Sequence, residues 1–165
     1  MSSSALETGL ATLGLSRRLL MPLLNGVPEA MWFHVPVASG NHAAWIAGHI
    51  AWEDDCWLAN LVPDRGSLMP PAWHERFGQG SRPTTNPADY PAIAEIRTAL
   101  AARREELIAL FTASADRLLE PLAGEHHGFA RTLAALMPAI ACHETLHVGQ
   151  LTVVRKSLEL ERVLG

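Results

Sequence analysis

The sequence predicts an all-α fold, a bundle of four long helices, on three observations. Four stretches of the 165-residue chain carry apolar residues at the 3.6-residue period. Strand signals are weak: Phe33-His34-Val35-Pro36-Val37 is the one extended-looking piece, and Pro36 removes a ladder donor from it. Hydrophobic residues make up 48 % of the chain and charged residues 18 %, enough to bury a core and too few charges for disorder. Helices with no sheet to cover bury their apolar stripes against one another. The length predicts one domain over residues 1–165.

The first helix is expected from about Ala5 to Leu24. Leu6, Leu10, Leu13, Leu20 and Leu24 share a face there, and Pro22 with Asn25-Gly26 marks its end. The second runs from about Asn41 to Leu61, with Ser39 or Asn41 as cap and Pro63 as stop. The third runs from about Tyr90 to Thr112, with Pro91 in its first turn and a stripe of Ile93, Ile96, Leu100, Leu107 and Leu110. The fourth runs from about Thr132 to Arg162. Leu133, Leu136, Ile140, His147, Leu151, Val154 and Leu158 lie on or near one face of it, and Pro138 either kinks it or marks its first turn. Between the second and third helices lies a long loop, Val62 to Pro91, with six of the eleven prolines. Loops of that length in compact domains are more often functional than idle. Leu68, Met69, Trp73 and Phe77 make it apolar enough to fold over the bundle as a lid, or to pack as an ordinary surface loop.

Charge and cysteine usage narrow the function classes. Acidic residues outnumber basic ones 17 to 13, for a formal charge of −4. A nucleic-acid module carries a basic excess, so no nucleic-acid partner is expected. The longest stretch free of charged residues, Ala30 to Trp52, contains Pro36, Gly40, Asn41 and three His, a poor membrane span. The opening MSSSALETGL has neither a basic nor an apolar signal region. Cys56 and Cys142 are too few for a disulfide framework and read as packing residues. A cytoplasmic location follows as the expectation. The count that stands out is eight His.

His143-Glu144-Thr145-Leu146-His147 is an HExxH pattern on a predicted helix. Four residues is a little over one turn, so the two imidazoles stand one above the other and are placed to share a metal. They are in register with Leu136 and Ile140 before them and with Gln150 and Val154 after, on a bundle-facing stripe. Polar rings buried there must be satisfied by something, a metal or hydrogen-bond partners. His49 on the second helix is the candidate third ligand, since Trp45, Ile46, Trp52, Glu53 and Cys56 share its face. Bundles build metal sites from side chains on facing helices, and three imidazoles leave a position open for water or substrate.

Glu53, one turn beyond His49, is a candidate ligand, orienting group or base, or else a surface carboxylate. Glu144 lies about 100° around the helix from His143, off the ligand face but within reach of a bound water. Gln150 is a candidate cavity residue. Cys56 stands about 10 Å along the axis from His49, too far to share its metal. Trp32, Trp45, Trp52, Trp57 and Trp73 read as core and pocket wall, and His34, His42, His74, His126 and His127 as solvated. Arg65, Arg76 and Arg82 either hold a substrate carboxylate or are simply solvated.

A zincin protease fits poorly. The extended motif wants Gly at position 150 and His at 153, where this chain has Gln150 and Val153. A downstream Glu ligand is no better, because Glu159 on the same helix sits roughly 18 Å up the axis.

Asn41-x3-Trp45-x2-Gly48-His49-Ile50-x-Trp52 on the second helix, with His143-Glu144-x2-His147-x-Gly149-Gln150-Leu151 on the last, resembles the DinB/YfiT-like family of metal-dependent proteins. The resemblance covers essentially the whole chain. It implies a four-helix bundle of up-down-down-up order, a homodimer, and a divalent metal, nickel or zinc foremost, held by His49, His143 and His147. Three imidazoles also suit iron, manganese or cobalt. Some members of the family are thiol-dependent transferases or isomerases using bacillithiol, mycothiol or glutathione. The resemblance therefore implies transfer or addition of a low-molecular-weight thiol to an electrophilic small molecule. Two other classes stay open: a hydrolase in which Glu53 or Glu144 is the base for a metal-bound water, and a non-catalytic dimeric scaffold or stress-related binding protein whose His cluster only stabilises the core.

Overall fold

Each of the four long periodic stretches folds as a helix, and a fifth, shorter helix interrupts the connection between the second and third. The computed structural model describes residues 2–62, 64–122 and 130–163. The elements are α1 (Ser2–Asn25), α2 (Ala43–Leu61), α3 (Pro71–Phe77), α4 (Ile93–Ala113) and α5 (Leu133–Ser157), with 3-10 turns at Glu29–Met31 and Pro87–Asp89. Among the described residues there is no strand, only an isolated bridge between Pro121 and Thr132. None of the helices of the described residues is long and apolar enough to cross a membrane. His126 and His127 lie outside the described residues.

The helix ends differ from expectation in ways that capping chemistry explains. His42, rather than Ser39 or Asn41, caps α2: its Nδ1 accepts the Trp45 N–H at 3.0 Å. A ring-nitrogen lone pair here does what a Ser or Asn oxygen does at other helix starts. Nε2 then carries the proton and donates to the Thr84 carbonyl at 3.0 Å. His42 is fully buried rather than solvated, packed between Phe33 and Tyr90. Pro91 precedes α4 instead of sitting in its first turn, and the Glu95 carboxylate accepts the Ala92 N–H at 3.0 Å. Thr132 caps α5, so Pro138 falls beyond the first turn and the helix continues through it. α5 stops at Ser157, short of Arg162, because Glu159 turns into the left-handed region (φ 55°) and Leu160 N–H closes onto the Arg155 carbonyl at 3.1 Å.

The segment expected as a long loop carries α3, opened by Pro71 at a first-turn position where a missing N–H does no harm. Met69, Trp73 and Phe77, spaced by four, are buried against α2. The ends of the segment are tied down by polar bonds. The buried Asp55 carboxylate receives the Ser67 hydroxyl (2.5 Å), the Leu68 N–H (3.1 Å) and the Arg65 guanidinium (3.1 Å). Burial pushes the Asp55 carboxyl up, but these donors outweigh it and hold the group below its ordinary value. Arg65 also meets Glu106 at 2.8 Å, so it is engaged in structure rather than solvated.

α1 packs chiefly against α5, and α2 chiefly against α4. Contacts climb together along α1 and α5: Gly9 faces Met137, Ser16 meets Glu144 and Leu23 meets Arg155. They run oppositely along α2 and α5, where Asn41 meets Gln150, His49 lies beside His147, and Glu53 pairs with His143. They run oppositely again along α1 and α4, through Arg17 to Leu100 and Asn25 to Arg97.

The core is split into two apolar clusters by a charged layer. One cluster includes Leu20, Ile50, Leu100 and Val148, the other Leu13, Leu58, Leu107 and Ile140. Between them each long helix contributes charge: Arg17, Asp54, Arg104 and Glu144. Arg104 grips Asp54 through two bonds (2.8 and 3.0 Å) and reaches Glu144 at 2.7 Å. Arg17 meets Glu144 at 2.8 Å and donates to the Leu100 carbonyl at 3.1 Å, and the Ser16 hydroxyl donates to Glu144 at 2.9 Å.

α3 sits close on α2 because Gly48 lacks a side chain: a Cβ there would overlap the Phe77 ring. Gly48→Ala is expected to lower stability by about 1–3 kcal/mol, the usual range for overpacking, despite the better helix propensity of Ala. Chemical denaturation reads this directly, and a stabilised Gly48→Ala protein would contradict the close packing.

Candidate metal centre

The structure brings His49 from α2 together with His143 and His147 from α5, their candidate ligand nitrogens all within 4.8 Å of one another. α2 and α5 run oppositely here, so the i, i+4 pair on α5 spans the turn of α2 that holds His49. His49 and His147 are buried, while the His143 side chain is 30 % and Glu53 23 % exposed, which puts the solvent side of the site at this pair.

Hydrogen bonds assign the tautomers. His49 Nδ1 lies 2.6 Å from the Phe77 carbonyl oxygen, which only accepts, so Nδ1 carries the proton and Nε2 keeps its lone pair. His147 Nδ1 lies 3.0 Å from Gln150 Oε1, an oxygen that also accepts from Asn41 Nδ2 at 3.0 Å. His143 Nδ1 pairs with the Glu53 carboxylate. Each ring thus spends Nδ1 on an acceptor and turns Nε2 inward. Orienting partners of this kind, a carboxylate, a carbonyl and an amide, are what metal-ligating His residues use to fix tautomer and ring direction.

That assignment brings two lone pairs face to face. His147 Nε2 and His143 Nε2 are 3.2 Å apart, and with both Nδ1 protons committed elsewhere a cation is needed between them, a proton or a metal ion. The donor set fits a divalent ion: three imidazole nitrogens, converging, with one edge reached by solvent. Electrostatics keep two of the rings neutral. Burial pushes His49 and His147 down from 6.5 to about 4, and for His147 the neighbouring His143 adds to the effect. Burial acts on His143 in the same sense, but the Glu53 carboxylate outweighs it and raises that ring above its ordinary value.

The other sequence candidates separate. Glu53 is in the site, on His143. Glu144 is buried on the far side of α5, in the charged layer with Arg17, Arg104 and Ser16. Gln150 holds His147. Trp45 stacks on His49 (centroids 4.6 Å, planes 9°), and Trp52 stacks on it as well (5.6 Å, 27°). Trp32 and Trp73 are core, and Trp57 is half-buried. Cys56 is half-buried, and burial pushes its thiol up to about 12; Cys142 is exposed rather than packed. His74 and His34 are exposed or half-buried but bonded, to Trp52 and Ser157.

Sequence reasoning missed Asp54, Asp55, Arg17 and Arg104. The signal was register: Asp54 is four residues after Ile50 and four before Leu58, and Arg104 is four after Leu100 and three before Leu107. Both occupy core positions of their stripes.

Compared with known proteins, residues 12–151 match the sequence model of the DinB superfamily. No curated protein and no solved structure matches the chain.

Proposed function

Because the chain belongs to the DinB superfamily, we propose that it is a divalent-metal-dependent enzyme that transfers or adds a low-molecular-weight thiol to an electrophilic small molecule. The observation that carries this reading is the set of three imidazoles with Nδ1 committed to acceptors and Nε2 turned to a common point. His49, His143 and His147 hold the ion, nickel or zinc foremost as the family resemblance implies, with iron, manganese or cobalt also compatible with imidazole donors. When bound, such an ion supplies an open coordination position that favours thiolate over a free thiol of pKa about 8.5.

The remaining roles belong to the chain. Phe77 O, Gln150 and Glu53 aim the three rings. Trp45 and Trp52 keep water from the flanks of His49. Thiol chemistry is favoured over hydrolysis because neither nearby carboxylate is free to serve as a base. Glu144 is held by two arginines and a serine, and Glu53 is occupied by His143. Hydrolytic sites of the HExxH type rely on a free Glu, which this site lacks. The helix pairings support a single four-helix bundle of up-down-down-up order, with α3 riding on α2. A cytoplasmic homodimer completes the reading.

The test is metal content by mass spectrometry beside turnover. Purified untagged protein should carry close to one divalent ion per chain, and His49→Ala and His143→Ala should lose it. Metal-loaded wild type should accelerate the reaction of glutathione or another small thiol with 1-chloro-2,4-dinitrobenzene, and both variants should fall to the uncatalysed rate. Ester hydrolysis without thiol, in place of thiol transfer, would move the assignment to a hydrolase. A chain that takes up no zinc, nickel or manganese would end the enzyme reading.

A further inference from the structure

Three rings of α2, at Trp45, His49 and Trp52, each donate a ring N–H to one short segment of the following connection. Trp52 Nε1 donates to His74 Nδ1 at 2.8 Å, His49 Nδ1 to the Phe77 carbonyl at 2.6 Å, and Trp45 Nε1 to Ser81 Oγ at 2.9 Å. The partners step by three and four residues in one direction while the rings step by three and four in the other, so the segment lies against α2 in the opposite sense. Donor and acceptor roles are consistent throughout. His74 accepts at Nδ1, so its Nε2 carries the proton and meets Ser67 Oγ at 3.1 Å, and the Ser67 hydroxyl donates in turn to Asp55 at 2.5 Å. Ser81 donates onward to the Arg76 carbonyl at 3.0 Å. The Phe77 ring is pressed onto Gly48, next to His49.

We infer that residues 74–81 form a clamp that sets the direction of the His49 ring, with Trp45, Trp52, His74 and Ser81 as positioning residues that act through it. The inference rests on the three-His metal reading above. An imidazole takes its direction from the partner of its other nitrogen, and here that partner is a carbonyl of the clamp itself. The two stacked indoles leave the ring one plane, and both indoles are pinned to the same segment. Lifting this segment would remove the His49 Nδ1 acceptor and free both indoles together. By reciprocity, an ion that selects the directed ring also holds the segment down.

Cobalt(II) provides a test independent of turnover, through its visible absorption bands and its affinity. Trp52→Phe keeps an aromatic ring beside His49 but removes the N–H together with part of the indole, whereas Ser81→Ala removes only a half-buried hydroxyl and is the cleaner probe. Each is expected to weaken Co²⁺ binding by roughly 10-fold, the low end of what loss of a direct orienting partner costs, and to alter the visible spectrum. In the wild type, Co²⁺ loading should slow backbone amide exchange across residues 71–81. Wild-type affinity and spectrum in both variants, or unchanged exchange on loading, would overturn the clamp and leave the metal site standing. A wild type that takes up no Co²⁺ would remove both.

Discussion

Arg104→Met is expected to lower folding stability by about 3–5 kcal/mol, measured by chemical denaturation at neutral pH. Arg104 is 4 % exposed and faces two carboxylates that are 1 % or less exposed, Asp54 and Glu144. Removing its guanidinium leaves two buried negative charges to Arg17 alone. Arg17 meets Glu144 at 2.8 Å but Asp54 only at 3.5 Å, so it is a poor sole counter-ion for both. The loss should shrink when Arg17, Asp54 and Glu144 are replaced as well, because apolar residues of similar volume need no partner. An Arg104→Met protein within 1 kcal/mol of wild type would mean that water reaches the layer. The layer also bears on the site. Asp54 and Glu144 directly follow Glu53 and His143 in the chain. Successive helix residues point about 100° apart, so fixing one fixes where its neighbour points. The charged layer thereby sets the rotation of α2 and α5 that brings Glu53 onto His143.

The same spacing rule explains what was readable in the sequence and what was not. Apolar residues at helical period located all four long helices to within a few residues, because burial of one face repeats locally. His143 and His147 were visible as a pair for the same reason, being one turn apart on one helix. His49 was legible only through its apolar neighbours, and its meeting with the pair depends on how α2 and α5 pack. The salt bridge between Asp54 and Arg104 joins residues 50 positions apart, so the core register of each is legible locally but their pairing is not. α3 gives a weak periodic signal because seven residues hold barely two turns, yet Pro70-Pro71 followed by Trp73 and Phe77 is a start signal with a stripe. His42 looked solvated because an imidazole cap has no sequence signature distinct from any other polar residue before a helix.

His42 also leads to the second large effect: the metal-free protein is expected to lose stability steeply as pH falls from about 6.5 to about 4. Burial lowers the folded His42 pKa from 6.5 to about 4, and His49 and His147 behave alike. In that window the unfolded chain binds protons that the folded chain does not, so stability rises with pH: it is fully present above 6.5 and lost on the way down to 4. A shift of this size is worth roughly 3 kcal/mol for one ring. His49 and His147 do not simply add to this, because they interact with each other and with His143. His143 acts in the opposite sense, since Glu53 raises its folded pKa; its contribution is full below 6.5 and fades as pH rises through the folded value. His42 is the separable member, and its protonation has a second consequence. The proton would land on Nδ1, the atom that accepts the Trp45 N–H, so the cap of α2 is lost with the charge balance. His42→Asn keeps a capping oxygen and removes the titration. Denaturation of chelator-treated protein between pH 7.5 and 4.5 should give a flatter stability curve for His42→Asn than for wild type, by up to one proton in slope, even if its stability at pH 7.5 is lower through lost packing on Phe33 and Tyr90. Identical slopes would show that His42 takes up its proton in the folded state, against its buried, capping geometry.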